Sequence, residues 1–208
     1  QAHGTKINKK HVGTFGDIGT FSFFPGKNLG AFGDAGAIIT NSKKIKEFCI
    51  RERNHGALKK YDHKFSGRNS RLDTINCAVL NLKLSKYRET ILKRNKLADV
   101  YFEKLKEVHQ INLFKLKKNN TNVFHQFVIR TSKRNELRKF LKKEGVDTMI
   151  HYPYMLNELN FFNYKKKLKK SYKLGKYILS LPISEEHSKK EIKFVSQKVN
   201  EFFDFKLR

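Results

Sequence analysis

Lys27 lies in an uncharged segment that is rich in aromatic residues and glycine, Ser22-Phe23-Phe24-Pro25-Gly26-Lys27-Asn28-Leu29-Gly30-Ala31. Apolar neighbours disfavour the ammonium form of a lysine, so the free amine becomes available for chemistry. A free amine condenses with a carbonyl group to form an imine, which is the basis of Schiff-base catalysis. The residue types around Lys27 therefore predict a nucleophilic amine.

The elements that must position this amine are two short apolar runs, predicted as strands over residues 18–24 and 37–40. Pro25-Gly26 ends the first run and turns the chain. Glycines follow at positions 30, 33 and 36, and they allow the backbone to approach a ligand closely. This arrangement is able to present an amine to a cofactor. A lysine in an ordinary hairpin loop fits the same spacing.

The rest of the chain predicts a small α/β domain after one long helix. A first helix is expected over residues 42–53, with Ser42 as its N-cap. Apolar residues then recur at helical intervals from position 72 to 105. Beyond this point the patterns favour strands over 123–130, 148–152 and 179–183, and helices over 133–144 and 189–203, with Gly145 ending the first of these helices.

Composition limits the classes of function. The 208 residues carry a formal net charge of +26, but lysines outnumber arginines more than threefold and no zinc-finger or RNA-binding aromatic signature is present. A solvated lysine-rich surface, without a specific nucleic-acid partner, is expected. Cys49 and Cys77 are too few and too far apart for a disulfide framework or a metal site. No apolar run is long enough to span a membrane, and reduced thiols suit a cytoplasmic protein.

Several motifs occur in an order that resembles the pyridoxal-phosphate sugar aminotransferases of the DegT/DnrJ/StrS type. These motifs are Gln1-Ala2-His3-Gly4, the Ser22 to Gly36 block, Arg53-Asn54-His55-Gly56, Lys60-Tyr61-Asp62-His63, Gly67-Arg68-Asn69-Ser70-Arg71-Leu72-Asp73 and Ile150-His151-Tyr152-Pro153. The resemblance is greatest to the branch that aminates dTDP-linked 3-keto-6-deoxyhexoses.

This resemblance implies the α/β fold of fold-type I, aspartate aminotransferase-like enzymes. Residues 1–85 would be the C-terminal part of a truncated, cofactor-binding large domain. Residues 86–208 would be the linking long helix and a small C-terminal α/β domain. The family's pyridine-nitrogen aspartate would precede Gln1 by three residues, so the 208-residue piece alone is expected to be inactive and poorly folded.

The resemblance also implies roles at the cofactor. Lys27 would form the Schiff base with pyridoxal 5'-phosphate, Ser22 would bind the cofactor phosphate, and Gln1 would pack beside the cofactor ring. Asn69 would reach the phosphate bound by the other subunit of a homodimer with shared active sites. On residue type alone, a strand serine such as Ser22 is more often simply bonded to backbone, and Asn69 is a turn residue before a helix.

Three further positions match residues near the sugar nucleotide in the resembling enzymes. Lys60 would pair with the diphosphate, and His151 and Tyr152 would hydrogen-bond the hexose. Without the resemblance these are a solvated lysine and a strand-end pair packed on Pro153. No metal ligand is expected among the histidines, since none has partners at a recognisable spacing.

The reaction implied is amino transfer from glutamate to the keto sugar. Alternatives within the same family are a 4-keto-sugar aminotransferase and a sugar dehydratase, and an inactive fragment is a third. In the related dehydratase a histidine replaces the Schiff-base lysine, so Lys27 favours transfer over dehydration.

Overall fold

The computed structural model describes residues 1–114, 116–161 and 168–205, and the chain divides into two compact units. The first unit comprises Gln1–Ile91 and Lys117–Val123, and the second comprises Leu92–Leu116 and Phe124–Arg208. The division therefore falls inside a long helix, a few residues after the predicted boundary at position 85, and a short later segment returns to the first unit. Among the described residues, no helix has the length and apolar composition needed to cross a membrane.

The first unit contains two antiparallel strand pairs and two helical segments. Strands β1 (Lys6–Ile7) and β2 (Lys10–His11) form a tight hairpin. Its turn residues Asn8 and Lys9 both have positive φ, as two-residue hairpins with the native twist require. Strands β3 (Gly19–Ser22) and β4 (Gly36–Ile39) pair in the register Gly19↔Ile39 to Ser22↔Gly36.

Helix α1 (Lys43–Glu52) follows, and the Ser42 hydroxyl accepts the Ile45 N–H as its N-cap, as the sequence predicts. Helix α2 (Thr74–Leu105) is the long helix predicted from position 72. Residues 74–91 of α2 belong to the first unit. They pack a small core against the loop between β3 and β4, formed by Leu29, Ala31, Leu80 and Tyr87.

The second unit is a three-stranded antiparallel sheet with helices. It begins with residues 92–105 of α2 and continues through β5 (Asn112–Leu113), β6 (Phe127–Arg130), α3 (Arg134–Lys143), a single 3-10 turn (Leu156–Glu158), α4 (Lys169–Gly175), β7 (Ile178–Leu181) and α5 (Lys189–Phe205). The strand order is β5-β6-β7. Fully buried side chains from α2, the two longer strands, α3 and α5 form the core, among them Tyr101, Ile129, Leu137, Leu141, Leu179, Ile192 and Val199.

Two predicted strands differ from the structure. Over residues 123–130 only Phe127–Arg130 is a strand, because Phe124 has a positive φ of 40° that breaks the extended backbone. The strand predicted over 148–152 was wrong, since this segment makes only the isolated bridge Met149↔Ser180. The chain then leaves the sheet toward Pro153, which has no N–H to continue a ladder.

The end of helix α3 follows the sequence prediction. Gly145 has a φ of +76° directly after the last helical turn, and a side chain there would strain the backbone. Local signals therefore marked the beginning of α1 and the end of α3.

Candidate functional site

Lys27 is carried by the lysine loop, residues 23–35, which joins β3 to β4. The loop is bonded to itself at its base, where Phe23 N–H donates to the Ala35 carbonyl at 2.8 Å and Ala31 N–H donates to the Phe23 carbonyl at 2.7 Å. At its tip, Lys27 N–H donates to the Phe24 carbonyl at 2.9 Å. The Lys27 residue is half-buried. The backbone at the amine is thus fixed by its own hydrogen bonds.

Three side-chain hydrogen bonds anchor the part of the lysine loop that follows Lys27, two made by residues of α2 and one by a residue of the loop itself. The Asn76 carboxamide oxygen accepts the Phe32 N–H at 3.1 Å, and the Lys83 ammonium donates to the Gly30 carbonyl at 2.6 Å. The buried Asn28 donates from Nδ2 to the Val123 carbonyl at 2.9 Å. Because Asn76 and Lys83 both lie on α2, this helix holds the loop in place.

A cavity of about 1490 Å³ in the first unit is lined by both Lys27 and Ser22. Its walls come from β3, β4, α1 and the beginning of α2. The charged side chains among its lining residues are Asp34 and four cations, Lys27, Lys46, Arg53 and Arg71. Cations with a fork of N–H donors, such as arginine, suit phosphate oxygens. The cavity therefore combines an amine, a hydroxyl and an excess of positive charge.

His3 forms an aromatic contact beneath the lysine loop. Its ring stacks on Phe23 with centroids 5.5 Å apart, and the Tyr87 hydroxyl donates to the His3 carbonyl at 3.0 Å. Among the described residues, neither ring nitrogen of His3 makes a hydrogen bond. The Ser22 backbone is nevertheless close enough to the ring to raise the pKa of His3 in part. Burial lowers the pKa of His3, and the positive charge of nearby Lys27 lowers it further.

Of the other residues predicted to bind cofactor or substrate in the first unit, Ser22 lines this cavity and Gln1, Asn69 and Lys60 do not. Ser22 is exposed, and its Oγ accepts the Phe24 N–H at 3.3 Å. Asn69 accepts the Arg71 Nε–H at 3.2 Å, so it neighbours the cavity through Arg71. Gln1 and Lys60 are exposed, and the Lys60 ammonium lies 5.0 Å from the centroid of the Tyr61 ring. Within the described ranges, Gln1, Asn69 and Lys60 are absent from the cavity lining.

His151 and Tyr152 belong to the second unit. The His151 Nδ1 is hydrogen-bonded to Ser180 Oγ at 2.9 Å, which ties the ring to strand β7. The ring meets that of Tyr152 edge-on, with centroids 5.6 Å apart and an interplanar angle of 89°. The half-exposed Tyr152 side chain and the His151 ring thus form a polar aromatic pair beside strand β7.

Sequence reasoning assigned no role to four residues that the structure brings to the site. Lys46 and Arg53 line the cavity, and Asn76 and Lys83 hold the lysine loop. Arg53 begins one of the motifs that carry the family resemblance, and this signal could have found it. Lys83 is one of many lysines on helical polar faces, and nothing in its local sequence distinguishes it.

Comparison with known proteins gives a consistent family. A sequence profile described as the DegT/DnrJ/EryC1/StrS aminotransferase family matches residues 1–200. The chain is 40% identical over 209 residues to a "Pleiotropic regulatory protein" of Geobacillus stearothermophilus, covering 98% of this chain and 56% of the relative. It is 37% identical over 204 residues to the dTDP-3-amino-3,6-dideoxy-alpha-D-galactopyranose transaminase of Aneurinibacillus thermoaerophilus, covering 97% and 56%. The chain thus spans about half the length of these relatives.

Solved structures agree with this assignment. The crystal structure of S. venezuelae DesV superposes with a TM-score of 0.92 at 34% identity, over 97% of this chain and 56% of that one. NtdA of Bacillus subtilis, solved with bound cofactor PMP, superposes with a TM-score of 0.80 at 26% identity, over 89% and 47%. The two units described above therefore correspond to about half of a mixed helix-and-sheet fold that is already known.

Proposed function

Because the chain belongs to the DegT/DnrJ/EryC1/StrS aminotransferase family, we propose that its complete polypeptide transfers an amino group from glutamate to a keto sugar linked to a nucleotide. The family depends on pyridoxal phosphate. The observation that carries the proposal is the shared cavity of Lys27 and Ser22, where an amine and a hydroxyl meet an excess of cationic side chains.

The residues present fit pyridoxal phosphate. Lys27 offers the primary amine, and Ser22 with the neighbouring Arg53 and Arg71 offers donors for a phosphate. When bound, the cofactor supplies an aldehyde that condenses with amines and a ring that takes up the electron pair of a breaking C–H bond. Lys27 would hold the cofactor through its amine in the resting protein. Once an amino donor had taken its place, the free Lys27 amine would be the base that moves the proton from the donor carbon.

The proposed substrate is a dTDP-linked 3-keto-6-deoxyhexose, which would serve the synthesis of deoxyaminosugars. Support comes from the transaminase relative, whose name specifies a 3-amino dTDP sugar. We assign Lys60 to the diphosphate, and His151 and Tyr152 to hydrogen bonds with the hexose. Gln1 is assigned to the cofactor ring. Asn69, which lies next to Arg71, is assigned to the phosphate bound by a second subunit of a homodimer.

The experiment that tests the cofactor site is reductive trapping in the complete polypeptide. The protein is incubated with pyridoxal phosphate, reduced with borohydride and digested, and the peptides are analysed by mass spectrometry. We expect a pyridoxyl adduct on Lys27, which is lost in Lys27→Arg. Lys44→Arg, on the exposed first turn of α1, is the matched control and keeps the adduct. A wild-type protein without an adduct on Lys27 would refute the proposal.

A second experiment separates amino transfer from dehydration. The complete enzyme is supplied with glutamate and dTDP-linked 3-keto and 4-keto 6-deoxyhexoses, and the products are identified by mass. Amination of the 3-keto sugar is expected, with 2-oxoglutarate formed in equal amount. A dehydrated sugar without 2-oxoglutarate would indicate the dehydratase instead, and amination of the 4-keto sugar alone would correct the substrate.

A further inference from the structure

We infer that Lys83 is a positioning residue for Lys27, acting through the carbonyl of Gly30. This inference rests on the proposed role of Lys27 as the cofactor-binding amine. Lys83 lies on α2, far from Lys27 in sequence, and its ammonium donates to the Gly30 carbonyl at 2.6 Å. A hydrogen bond with an ionised donor is about twice as strong as a neutral one. The contact therefore adds a charged anchor to the Gly30–Ala31 peptide group.

Gly30 transmits this contact to the backbone of Lys27. A Cβ atom at position 30 would collide with the Pro25 carbonyl oxygen and would lie 3.0 Å from the Lys27 carbonyl oxygen. Gly30 is buried, so its peptide has little room to move without displacing these two carbonyls. A rotation of the Gly30 peptide would thus displace the backbone of Lys27, the residue that carries the amine.

The peptide group that joins Gly30 to Ala31 is held at both of its polar ends, since Lys83 binds the Gly30 carbonyl and the Phe23 carbonyl binds the Ala31 N–H. Asn76 holds the Phe32 N–H, two residues further along, and Ala31 N–H is bonded to the Phe23 carbonyl. The Asn76 bond fixes the end of the lysine loop, whereas Lys83 reaches the Gly30 carbonyl, three residues after Lys27, and supplies the charged anchor of that peptide group. The Lys83 ammonium also lies 5.7 Å from the centroid of the Phe32 ring, which orients the side chain over the loop.

The test compares Lys83→Met with Lys83→Arg in the complete polypeptide. Methionine keeps the aliphatic stem but removes the donor, and arginine restores a charged donor. Lys86→Met is the matched control, because Lys86 is an exposed lysine on the same helix. The first readout is amide hydrogen exchange of residues 28–32 without cofactor, and the second is the rate of borohydride-trapped pyridoxal phosphate on Lys27. Steady-state kcat and KM form the third.

In Lys83→Met we expect faster exchange of the loop amides. We also expect the trapping rate on Lys27 to fall about tenfold, because a small misplacement of a reacting group slows its reaction. The value of kcat should fall with it while the KM for the nucleotide sugar stays within about twofold, since the substrate contacts are untouched. Lys83→Arg should recover most of the trapping rate. The Lys86→Met control should match the wild type in all three.

Two outcomes would overturn the inference. One is a Lys83→Met protein with wild-type trapping rate and kcat, and the other is equal loss in Lys83→Met and Lys86→Met. If the wild-type protein itself forms no adduct on Lys27, the proposed function fails. In that case loop exchange without cofactor still decides whether Lys83 positions the loop.

Discussion

The ion pair between Arg94 and Glu185 allows a quantitative prediction of how much one buried contact stabilises the second unit. The Arg94 Nε and Nη2 atoms lie 2.7 and 2.6 Å from the Glu185 Oε2, and Nη1 donates to the carbonyls of Phe124 at 2.9 Å and Ile183 at 3.3 Å. The Arg94 side chain is 8% exposed and that of Glu185 is 25% exposed. One guanidinium therefore joins α2 to two separate loops of this unit.

We expect Arg94→Met to lower the free energy of opening of the second unit by about 3–5 kcal/mol. This range follows from leaving two carbonyls and a carboxylate without their cationic donor. Glu185→Gln keeps an oxygen acceptor and affects a partly solvated group, so about 2 kcal/mol is expected. In the double variant, losing Glu185 adds little, since its partner is already gone. The coupling free energy should therefore be about 2 kcal/mol.

The assay is native-state hydrogen exchange of the amides in β6 and β7, measured on the complete polypeptide, because it reports the opening of this sheet alone. Lys133→Met is the control. Its ammonium is 4.0 Å from Glu136 and both side chains are about half exposed, so a change below about 0.5 kcal/mol is expected. If the effects of the two single changes add to within about 0.5 kcal/mol in the double variant, the reasoning is refuted.

Three further predictions concern the first unit. The pKa of His3 is lowered from its ordinary 6.5, so below that pH the unfolded chain binds a proton that the folded chain does not, and stability falls on acidification. The variant His3→Phe should therefore flatten the pH dependence of the free energy of urea unfolding between about pH 7 and 5. An unchanged pH dependence in this variant would contradict the prediction. Gly30→Ala should cost about 1–3 kcal/mol in urea unfolding and slow trapping on Lys27, because the Pro25 carbonyl leaves no space for Cβ. Ser42→Ala should cost about 1 kcal/mol through the lost N-cap, with Ser42→Asp retaining stability; equal stability of the alanine and aspartate variants would exclude a capping role.

Elements with strong local signals were predictable from the sequence. Ser42 and Gly145 mark helix ends by chemistry that acts within one turn, and the apolar period of α2 continues over many residues. That residues 148–152 do not form the predicted strand could not be foreseen in the same way. The pairing of this segment with β7 depends on a partner about 30 residues away, and only one bridge forms. The positive φ at Phe124 was also hidden, because phenylalanine itself does not favour this conformation.

The candidate site likewise contains parts that local sequence predicts and parts that depend on contacts distant in sequence. Ser22 and Lys27 are five residues apart in sequence around one turn, so their place on a common cavity follows from the strand and loop that carry them. The apolar segment around Lys27 suggested an enclosed amine, but Phe24 is half-exposed and Lys27 is only half-buried. The contacts of Asn76 and Lys83 are made with backbone groups more than 40 residues away, and such contacts leave no pattern in the sequence.

The hydrogen bonds within the lysine loop have a consequence for reaction rates. If the segment that carries the amine were flexible, its backbone would have to become ordered for each reaction with an aldehyde. The loss of conformational entropy would then raise the activation barrier. Here the Phe23–Ala31 and Phe23–Ala35 bonds have already ordered the backbone when the chain folds. The amine at the tip thus has a high effective concentration toward any carbonyl that enters the cavity.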